Sequence, residues 1–466
     1  MAVQGTTPSA VRVDFTGVDY LTSSDIIEMH AKMKIDIDPE LFGRYGTESL
    51  GIQPFIDAYG RVTPTNSVKY GHFEQDFTRE LIVVDDSYTP SGATATFTVV
   101  SGYRYTYPAN ASESIYENYT TNVTIPVRQD DVIVGLGIEM LVTSVNYSAN
   151  TFAVVCTQTG EVVPDALEDA PMYISGRAKA ERASGAEGRE TRLIPYENFI
   201  QIIDEAYEVS GSAMGQEGFI KSLGGSGKWY ATGILNTKTN FDALCELTYL
   251  TGKKITMSNA ALAGRLKTEG IAPFTESYGN VVDYDVDAFG LDEVDEMIAA
   301  TKKYYGSNEY CLLESHPLSV ELDDTFRTIT GMDAGGRTYN QKLIDLGFSA
   351  VTRSNVKIYP KTLQGFSDSR TLGSADSEYL HYGLMIPTGT ATSFDLNGGQ
   401  KVQKASLNLR YQDVVGENKG MKEWVTGGAG SASTNTTDEQ VISMRKRVGV
   451  DLYGANLFGA FKGAVA

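Results

Sequence analysis

The run Gly224-Gly225-Ser226-Gly227-Lys228 has the outward look of a phosphate-binding loop. In such a loop glycine amides cradle the phosphates, the lysine reaches the outer ones, and the next hydroxyl holds magnesium. Here Ser222 stands where the first glycine belongs, and Trp229 follows the lysine in place of Ser or Thr. The run also fails as a nucleophile elbow, because Lys228 occupies the position of the closing glycine. It reads as a glycine-rich turn.

Asp283, Asp285 and Asp287 alternate as they do in a calcium loop, but Ala288 replaces the turn glycine and Val294 the closing glutamate. The three carboxylates therefore read as one acidic face of a strand. The histidines are His30, His72, His316 and His381, and no two share a metal-ligand spacing. His316, ahead of Pro317, has the chemistry of a base, yet no Ser or Cys in a nucleophile setting accompanies it. Cys156, Cys245 and Cys311 are sparse, odd in number and far apart. That argues against a disulfide framework and against CxxC zinc or redox chemistry, leaving core thiols. Arg445-Lys446-Arg447 is a lone basic triplet. On a strand its members point to alternating faces, so it suits a strand edge or an inter-subunit charge contact better than a nucleic-acid patch.

The totals narrow the classes further. A chain of 466 residues holds two or three compact domains with real cores. Its 47 glycines and 27 tyrosines suit a mixed α+β protein rather than a helical bundle. A net charge of −20 opposes any tight grip on a phosphate backbone and favours solubility at high concentration. The opening MAVQGTTPSA lacks a secretory pattern, and no apolar run reaches membrane-spanning length. The expectation is a chain made and kept in a cytosol, without a membrane partner. No cofactor or metal is implied. Two classes stay open, an enzyme whose site has no readable motif and a building block; so long a chain without a motif favours the second.

The organising stretch is Phe289 to Phe326, which reads as helix, buried strand, helix. Asp292 is a good N-cap, and Val294, Met297, Ile298, Thr301 and Tyr304 share a helical face that Gly306 ends. Tyr310-Cys311-Leu312-Leu313 is a short strand ended near Pro317, and Leu318, Leu322 and Phe326 mark a second amphipathic helix. Residues 1–72 cannot close a core, but aromatics such as Phe42, Tyr45, Phe55 and Tyr59 imply an arm lying against another part or another copy. Residues 73–176 hold short strands at close spacing: 93–100, 120–127, 131–134, 138–145 and 151–157. Together they suggest an inserted antiparallel barrel or sandwich. Residues 177–192 are charged and nearly free of large apolar groups, so Arg177, Arg182, Glu187 and Arg189 are candidates to pair with a partner's charges. Asn198 to Val209 reads as an amphipathic helix. Asn236 to Leu250 reads as a second, with Phe241, Leu244, Leu247 and Leu250 as its stripe. Strands follow at 351–359, 379–387, 406–411 and 421–425. Ile442, Met444, Val448, Val450 and Leu452 then lie on one side of a long strand, and Leu457, Phe458 and Phe461 anchor a glycine-rich end.

The order of these pieces resembles the major capsid proteins of tailed bacteriophages, with the Hong-Kong-97 capsid fold. Three segments carry the likeness: IPYENFIQIIDEAYEVSGSAM, FGLDEVDEMIAATKKYYGSNEYCLLESHPL and RKRVGVDLYGANLFGAF. The large β insert resembles that of a crAss-like podophage. The resemblance implies an N-terminal arm at 1–72 and an extended loop at 73–192 carrying a small inserted β-barrel. It implies a peripheral domain at 193–270 with a spine helix, an axial domain at 271–425, and a return to the peripheral sheet at 426–466. It further implies self-assembly into pentamers and hexamers, with portal, scaffolding and head decoration proteins as partners and packaged double-stranded DNA held only loosely. Phe15, Tyr20, Phe42, Tyr45, Arg177, Arg182, Glu187, Arg189, Arg445 and Arg447 are then the expected assembly contacts. No Lys–Asn pair can be matched to the cross-link some relatives form, and an arm-like Asp14 to Tyr20 points to a separate scaffolding protein. The alternatives are an encapsulin shell, a β-rich tail or decoration protein, and an unread hydrolase. The large insert weighs against the first, and the helices at 236 and 292 against the second.

Overall fold

The computed structural model describes residues 50–75, 81–82, 84–85, 88, 90–99, 125, 127–165, 167, 172–181, 185, 193–214, 230–255, 264–286, 288–303, 306–329, 351–375, 377–394, 401–414, 417–427 and 438–464. In chain order, α1 (Ile52–Tyr59), β1 (Arg61–Thr65) and β2 (Lys69–Gln75) come first. Strands β3 (Leu81–Ile82), β4 (Thr94–Thr98), β5 (Asp131–Gly135), β6 (Ile138–Asn146), β7 (Thr151–Cys156) and β8 (Met172–Arg177) follow. Next are β9 (Leu193–Phe199), β10 (Gln201–Ser210), α2 (Tyr230–Thr251), α3 (Ile271–Tyr278) and β11 (Asn280–Asp285). Then come α4 (Leu291–Lys303), β12 (Glu309–Glu314), α5 (His316–Ile329), β13 (Val351–Arg353), β14 (Val356–Thr362) and β15 (Tyr382–Pro387). The chain closes with β16 (Thr390–Phe394), β17 (Lys401–Ala405), β18 (Leu407–Val414), β19 (Glu417–Asn418), β20 (Met421–Gly427), β21 (Glu439–Leu452) and β22 (Gly459–Ala464). The class is α+β.

The chain divides into two compact units. The larger comprises Leu50–Ile203, Leu244–Met421 and Lys446–Ala466. Its central sheet runs β11-β22-β15-β12-β14-β13. Both faces of this sheet are covered, so β12 from Tyr310 on and all of β15 are buried. Helices α4 and α5 supply Val294, Met297, Ile298, Leu318 and Leu322 to a core shared with Tyr310, Leu312, Met385 and Phe461. Val294, Met297, Ile298 and Thr301 are buried as the spacing predicts, and Tyr304 lies outside the described residues. The start of α4 is secured by the Glu293 carboxylate, which accepts the Gly290 N–H at 2.8 Å. Lys302 at its other end donates to the carbonyls of Gly306 and Ser307 at 3.3 and 3.2 Å. On β11, Val282 and Tyr284 point inward while Asp283 and Asp285 are exposed, as an acidic strand face requires.

Within the same unit, β3-β8-β5-β6-β7-β4 form an antiparallel sheet with its own core. A bridge between Val84 and Val99, with the Asp85 N–H on the Thr98 carbonyl at 2.8 Å, joins the two edges and closes the sheet into a barrel. Phe97, Ile133, Met140, Val142, Phe152 and Leu167 fill it. The Tyr88 hydroxyl clips its long connection, donating to the Pro164 carbonyl and accepting the Leu167 N–H, both at 2.8 Å. Strands β2 and β9 form a two-stranded ribbon on either side of the barrel in sequence, from Lys69↔Phe199 to Gln75↔Leu193. Strand β1 pairs in parallel with β18, which pairs antiparallel with Val448–Leu452 of β21.

The smaller unit includes Asp204–Ala243 and Lys422–Arg445. There β21 is hydrogen-bonded to both β10 and β20. The Gly211 N–H donates to the Asp438 carbonyl at 3.0 Å, and the Tyr207 ring lies against Gly233, where any side chain would collide.

Several elements differ from the sequence reading. The helix expected over Asn198–Val209 is instead the end of β9 and all of β10, with Ile203 and Val209 buried. β-branched residues tolerate both periods, and pairing with the long alternating β21 decides for strand. Helix α2 starts at Tyr230, and its buried line is Phe241, Cys245, Tyr249 and Leu250, while Leu244 is exposed. The sequence reading places no helix at α1 or α3, whose prolines are Pro54 and Pro273. Both sit in the first turn, where the missing amide has no helical partner to lose. The single strand expected over 351–359 is a hairpin, turned by Ser354 (φ 48) and Asn355 (φ 62). The glycine-rich end is a central strand, β22, rather than an anchored tail.

Candidate assembly surfaces

Most of the residues picked from the sequence as assembly contacts lie outside the described residues: Phe15, Tyr20, Phe42, Tyr45, Arg182, Glu187 and Arg189. The Gly224–Lys228 run and Asp287 lie outside them as well. Arg177, at the end of β8, is bound within the barrel. Its Nε lies 2.8 Å from Oδ1 of buried Asp131, whose other oxygen accepts the Arg128 N–H at 2.9 Å. Arg177→Met removes a charge-assisted bond from a buried carboxylate, and is expected to destabilise the barrel by about 2 kcal/mol. Urea unfolding followed by the barrel's tyrosine signals checks this.

Arg445 donates to Oδ2 of Asp204 at 3.0 Å and lies 5.4 Å over the Trp424 ring. Trp424 and its neighbour Val425 are exposed. Arg447, on the same face of β21, donates to Oε1 of Gln412 at 2.8 Å. Lys446 faces the other way, over the Tyr249 ring at 5.3 Å. The triplet is thus spread over two strand faces, as a two-residue period demands.

Among the described residues no group of His, Cys, Asp and Glu has the arrangement of a metal site. The three cysteines form no disulfide and are buried, and burial pushes the Cys311 thiol up to about 11. His316 opens α5, exposed, with its backbone N–H on the Ser367 hydroxyl at 2.9 Å. No helix among the described residues is long and apolar enough to cross a membrane.

The surface the sequence did not single out is the β2–β9 ribbon. Alternation gives it two faces. Tyr70, His72 and Glu74 face inward with Tyr196 and Asn198, against β21 and α3. The Tyr70 hydroxyl donates to the Val450 carbonyl at 2.6 Å. His72 is held between Asp451 Oδ1 at 3.0 Å and Glu74 Oε1 at 3.1 Å, and stacks on Tyr196. The other face carries Phe73, 66 % exposed, opposite Pro195, with Lys69 paired to Glu197 at 2.8 Å. Strands β2 and β9 pair only with each other among the described residues. A sequence signal for this did exist: the alternation Tyr70-x-His72-x-Glu74 puts three polar-tipped side chains on one face and leaves Phe73 on the other.

No protein-family model matches the chain, and no curated protein matches it. Solved structures do. A chain of Gordonia phage Cozz is 9 % identical with a TM-score of 0.43, covering 97 % of this chain and 98 % of its own. A capsid chain of the native GTA particle is 9 % identical with a TM-score of 0.41, covering 96 % and 100 %. The holo-SrpI encapsulin complex from Synechococcus elongatus is 12 % identical with a TM-score of 0.32, covering 58 % and 77 %. At such scores the function has to be argued from the surfaces above.

Proposed function

We propose that this chain is the major capsid protein of a tailed bacteriophage, a structural subunit of the Hong-Kong-97 fold. The single observation that carries the reading is the ribbon, which is packed on one face while its other face leaves Phe73 exposed. An exposed aromatic on a two-stranded ribbon is a contact surface for a partner, and in a self-assembling chain every copy supplies both partners. Trp424 stacked with Arg445 offers a second contact of the type that concentrates binding energy. The order of pieces in the sequence supplies the rest. Pentamers and hexamers enclose double-stranded DNA, which touches the acidic lumen loosely. Portal, scaffolding and decoration proteins complete the head. The shell is assembled in the host cytoplasm and ends in the virion. Phe15, Tyr20, Phe42, Tyr45, Arg182, Glu187 and Arg189 are the arm and return-segment contacts of that shell.

Negative-stain imaging of the purified chain is expected to show rings or closed shells. Phe73→Ser is expected to raise the assembly threshold about tenfold, the equivalent of roughly 1.4 kcal/mol per contact. A compact monomer at high concentration, unaffected by that substitution, would overturn the reading.

A further inference from the structure

Besides the packing of Tyr196 on Phe274 and Tyr278 of α3, the polar ties on the inner face of the β2–β9 ribbon fall into two sets that differ in chemistry. The set nearer the ribbon's root is uncharged. Tyr70 donates to the Val450 carbonyl, and the Asn198 amide donates to the carbonyls of Val450 at 2.7 Å and Glu269 at 3.1 Å. One inward-facing pair farther out, the set becomes ionic. His72 has a carboxylate oxygen at each ring nitrogen, Asp451 on Nδ1 and Glu74 on Nε2. Acceptors on both sides require both nitrogens to donate, so the ring here is the imidazolium. Asp451 uses its other oxygen for Arg410 Nε and the Tyr453 hydroxyl, both at 2.9 Å. Glu74 Oε1 also accepts the N–H of Gly454 at 2.6 Å, in a turn whose φ of 75° favours glycine. Two cations and two carboxylates therefore balance in a largely buried knot.

We propose that the ionic set is a latch and the uncharged set a hinge: charged His72 holds residues 71–75 and 193–197 against the end of β21, and loss of its charge frees them to swing about Tyr70 and Asn198 while the rest of the larger unit stays folded. Removing the proton leaves one carboxylate uncompensated and points a ring lone pair at an acceptor, which is repulsive in a buried site. The hinge ties carry no charge and keep their bonds. Gly71, exposed and without a side chain, joins the two.

The groups facing the ring from each packed element set the direction of the switch. Glu74 comes from its own strand, Tyr196 from β9, Asp451 from β21 and Tyr453 from the turn after it. Arg410 of β18 is engaged by Asp451 and Tyr453, and Lys404 of β17 lies 5.7 Å over the Tyr453 ring. Burial opposes the imidazolium, but its bonds to Asp451 and Glu74 outweigh burial and raise the His72 pKa from 6.5 to about 9. The latch is therefore shut below about pH 6.5 and through neutrality, and opens as pH rises through about 9.

Hydrogen–deuterium exchange on the full chain, corrected for chemical exchange rates, reads this directly from about pH 7 to about pH 10. Protection at 71–75 and 193–197 is expected to fall about tenfold or more in one step, while Tyr70, Asn198 and the central sheet keep theirs. His72→Gln is expected to show the open level already at neutral pH, with no step. Glu74→Gln is expected to move the step to lower pH. Flat protection across the range overturns the latch, as does wild-type protection in His72→Gln. So does ribbon opening that occurs only together with the central sheet. Exchange is read on unassembled subunits, because the ribbon is also the proposed assembly contact, and read that way the result does not depend on whether the chain builds a shell.

Discussion

Phe461→Ala is expected to destabilise the larger unit by about 4 kcal/mol, near the upper end for removing a buried aromatic. Phe461 is 1 % exposed and meets Phe289 edge-on, with ring centroids 5.2 Å apart at 90°. Its strand is paired on both sides, with β11 in parallel and β15 antiparallel, so the backbone cannot close over a lost side chain. Across the pairing, Phe461 stands opposite Val282 on one side and Gly383 on the other, and the glycine leaves the ring its space. Helix α4 is already pressed onto the same strand at Gly459, where a side chain would strike the Met297 sulfur. Neighbours locked this way relax little, and the cavity term adds to the lost burial. Phe461→Leu keeps most of the volume and is expected to cost only about 1–1.5 kcal/mol. Urea midpoints with an unchanged slope measure both. A loss below about 1 kcal/mol for the alanine variant would show that β22 is a dispensable tail, as its glycine content suggests at first sight.

That strand also marks where sequence reasoning runs out. Local signals were enough where an element makes its own case. Helix α4 has an acidic first turn, a basic last turn and an apolar face, and Val294, Met297, Ile298 and Thr301 are buried as that spacing demands. The all-apolar Tyr310–Leu313 run is a strand buried on both faces, and Ile442, Met444, Val448, Val450 and Leu452 are buried along β21. Local signals misled where tertiary pairing decides. Ile202, Ile203 and Val209 fit a helix or a strand, and only the presence of β21 as a partner settles it. The GAFKGA segment looks like a flexible end until its neighbours are known, because its glycines serve close approach by Met297 and His381 rather than freedom.

The ribbon knot was illegible for a related reason. His72 meets Asp451, Tyr70 meets Val450 and Glu74 meets Gly454 across nearly the full length of the chain. No local window holds both partners, so neither spacing nor motif can announce the pair. The sequence did reveal what kind of residue is missing from this protein's readable motifs: nothing in the histidine or cysteine spacing matched a ligand or nucleophile pattern. Among the described residues, His72 and His381 sit beside carboxylates. The assembly contacts Arg177 and Arg445 were picked for their charge, and both are found on acidic partners within their own unit. Charge in a sequence identifies a side chain that needs a counter-ion, without saying on which copy the counter-ion lies.

Stability is expected to fall as pH climbs from about 5 to about 9, the reverse of the usual rise away from acid. Three buried groups drive this, all with more protons bound in the folded chain than in the unfolded one. Burial raises Glu314 from 4.5 to about 7, with Asp323 adding to it and a hydrogen bond from Ser319 working against it. Burial likewise raises Glu269 from 4.5 to about 7, partly offset by Lys254. A carboxyl raised this way costs nothing while both states are protonated, below about 4.5. The cost grows through the interval to about 7 and stays constant above it, reaching on the order of 3 kcal/mol for each group. His72 then takes over, because its contribution is complete below 6.5 and is lost as pH rises through about 9. Asp451 acts in the opposite sense: burial works against its charge, yet its bonds to His72, Arg410 and Tyr453 hold its pKa below 3.8, and that contribution is lost only in strong acid. From these groups the optimum is expected near pH 5 rather than at neutrality. Glu314 is the group to change, since it is 3 % exposed and its Oε2 has no hydrogen-bond partner. Glu314→Gln keeps the shape and removes the ionisation, so it is expected to flatten the slope between about pH 5 and pH 7 and to stabilise the chain by about 2 kcal/mol at pH 8. Denaturant midpoints across that range decide the matter, and a wild-type profile that is level or rising from pH 5 to pH 8 would mean that these carboxyls reach water or a counter-ion in solution.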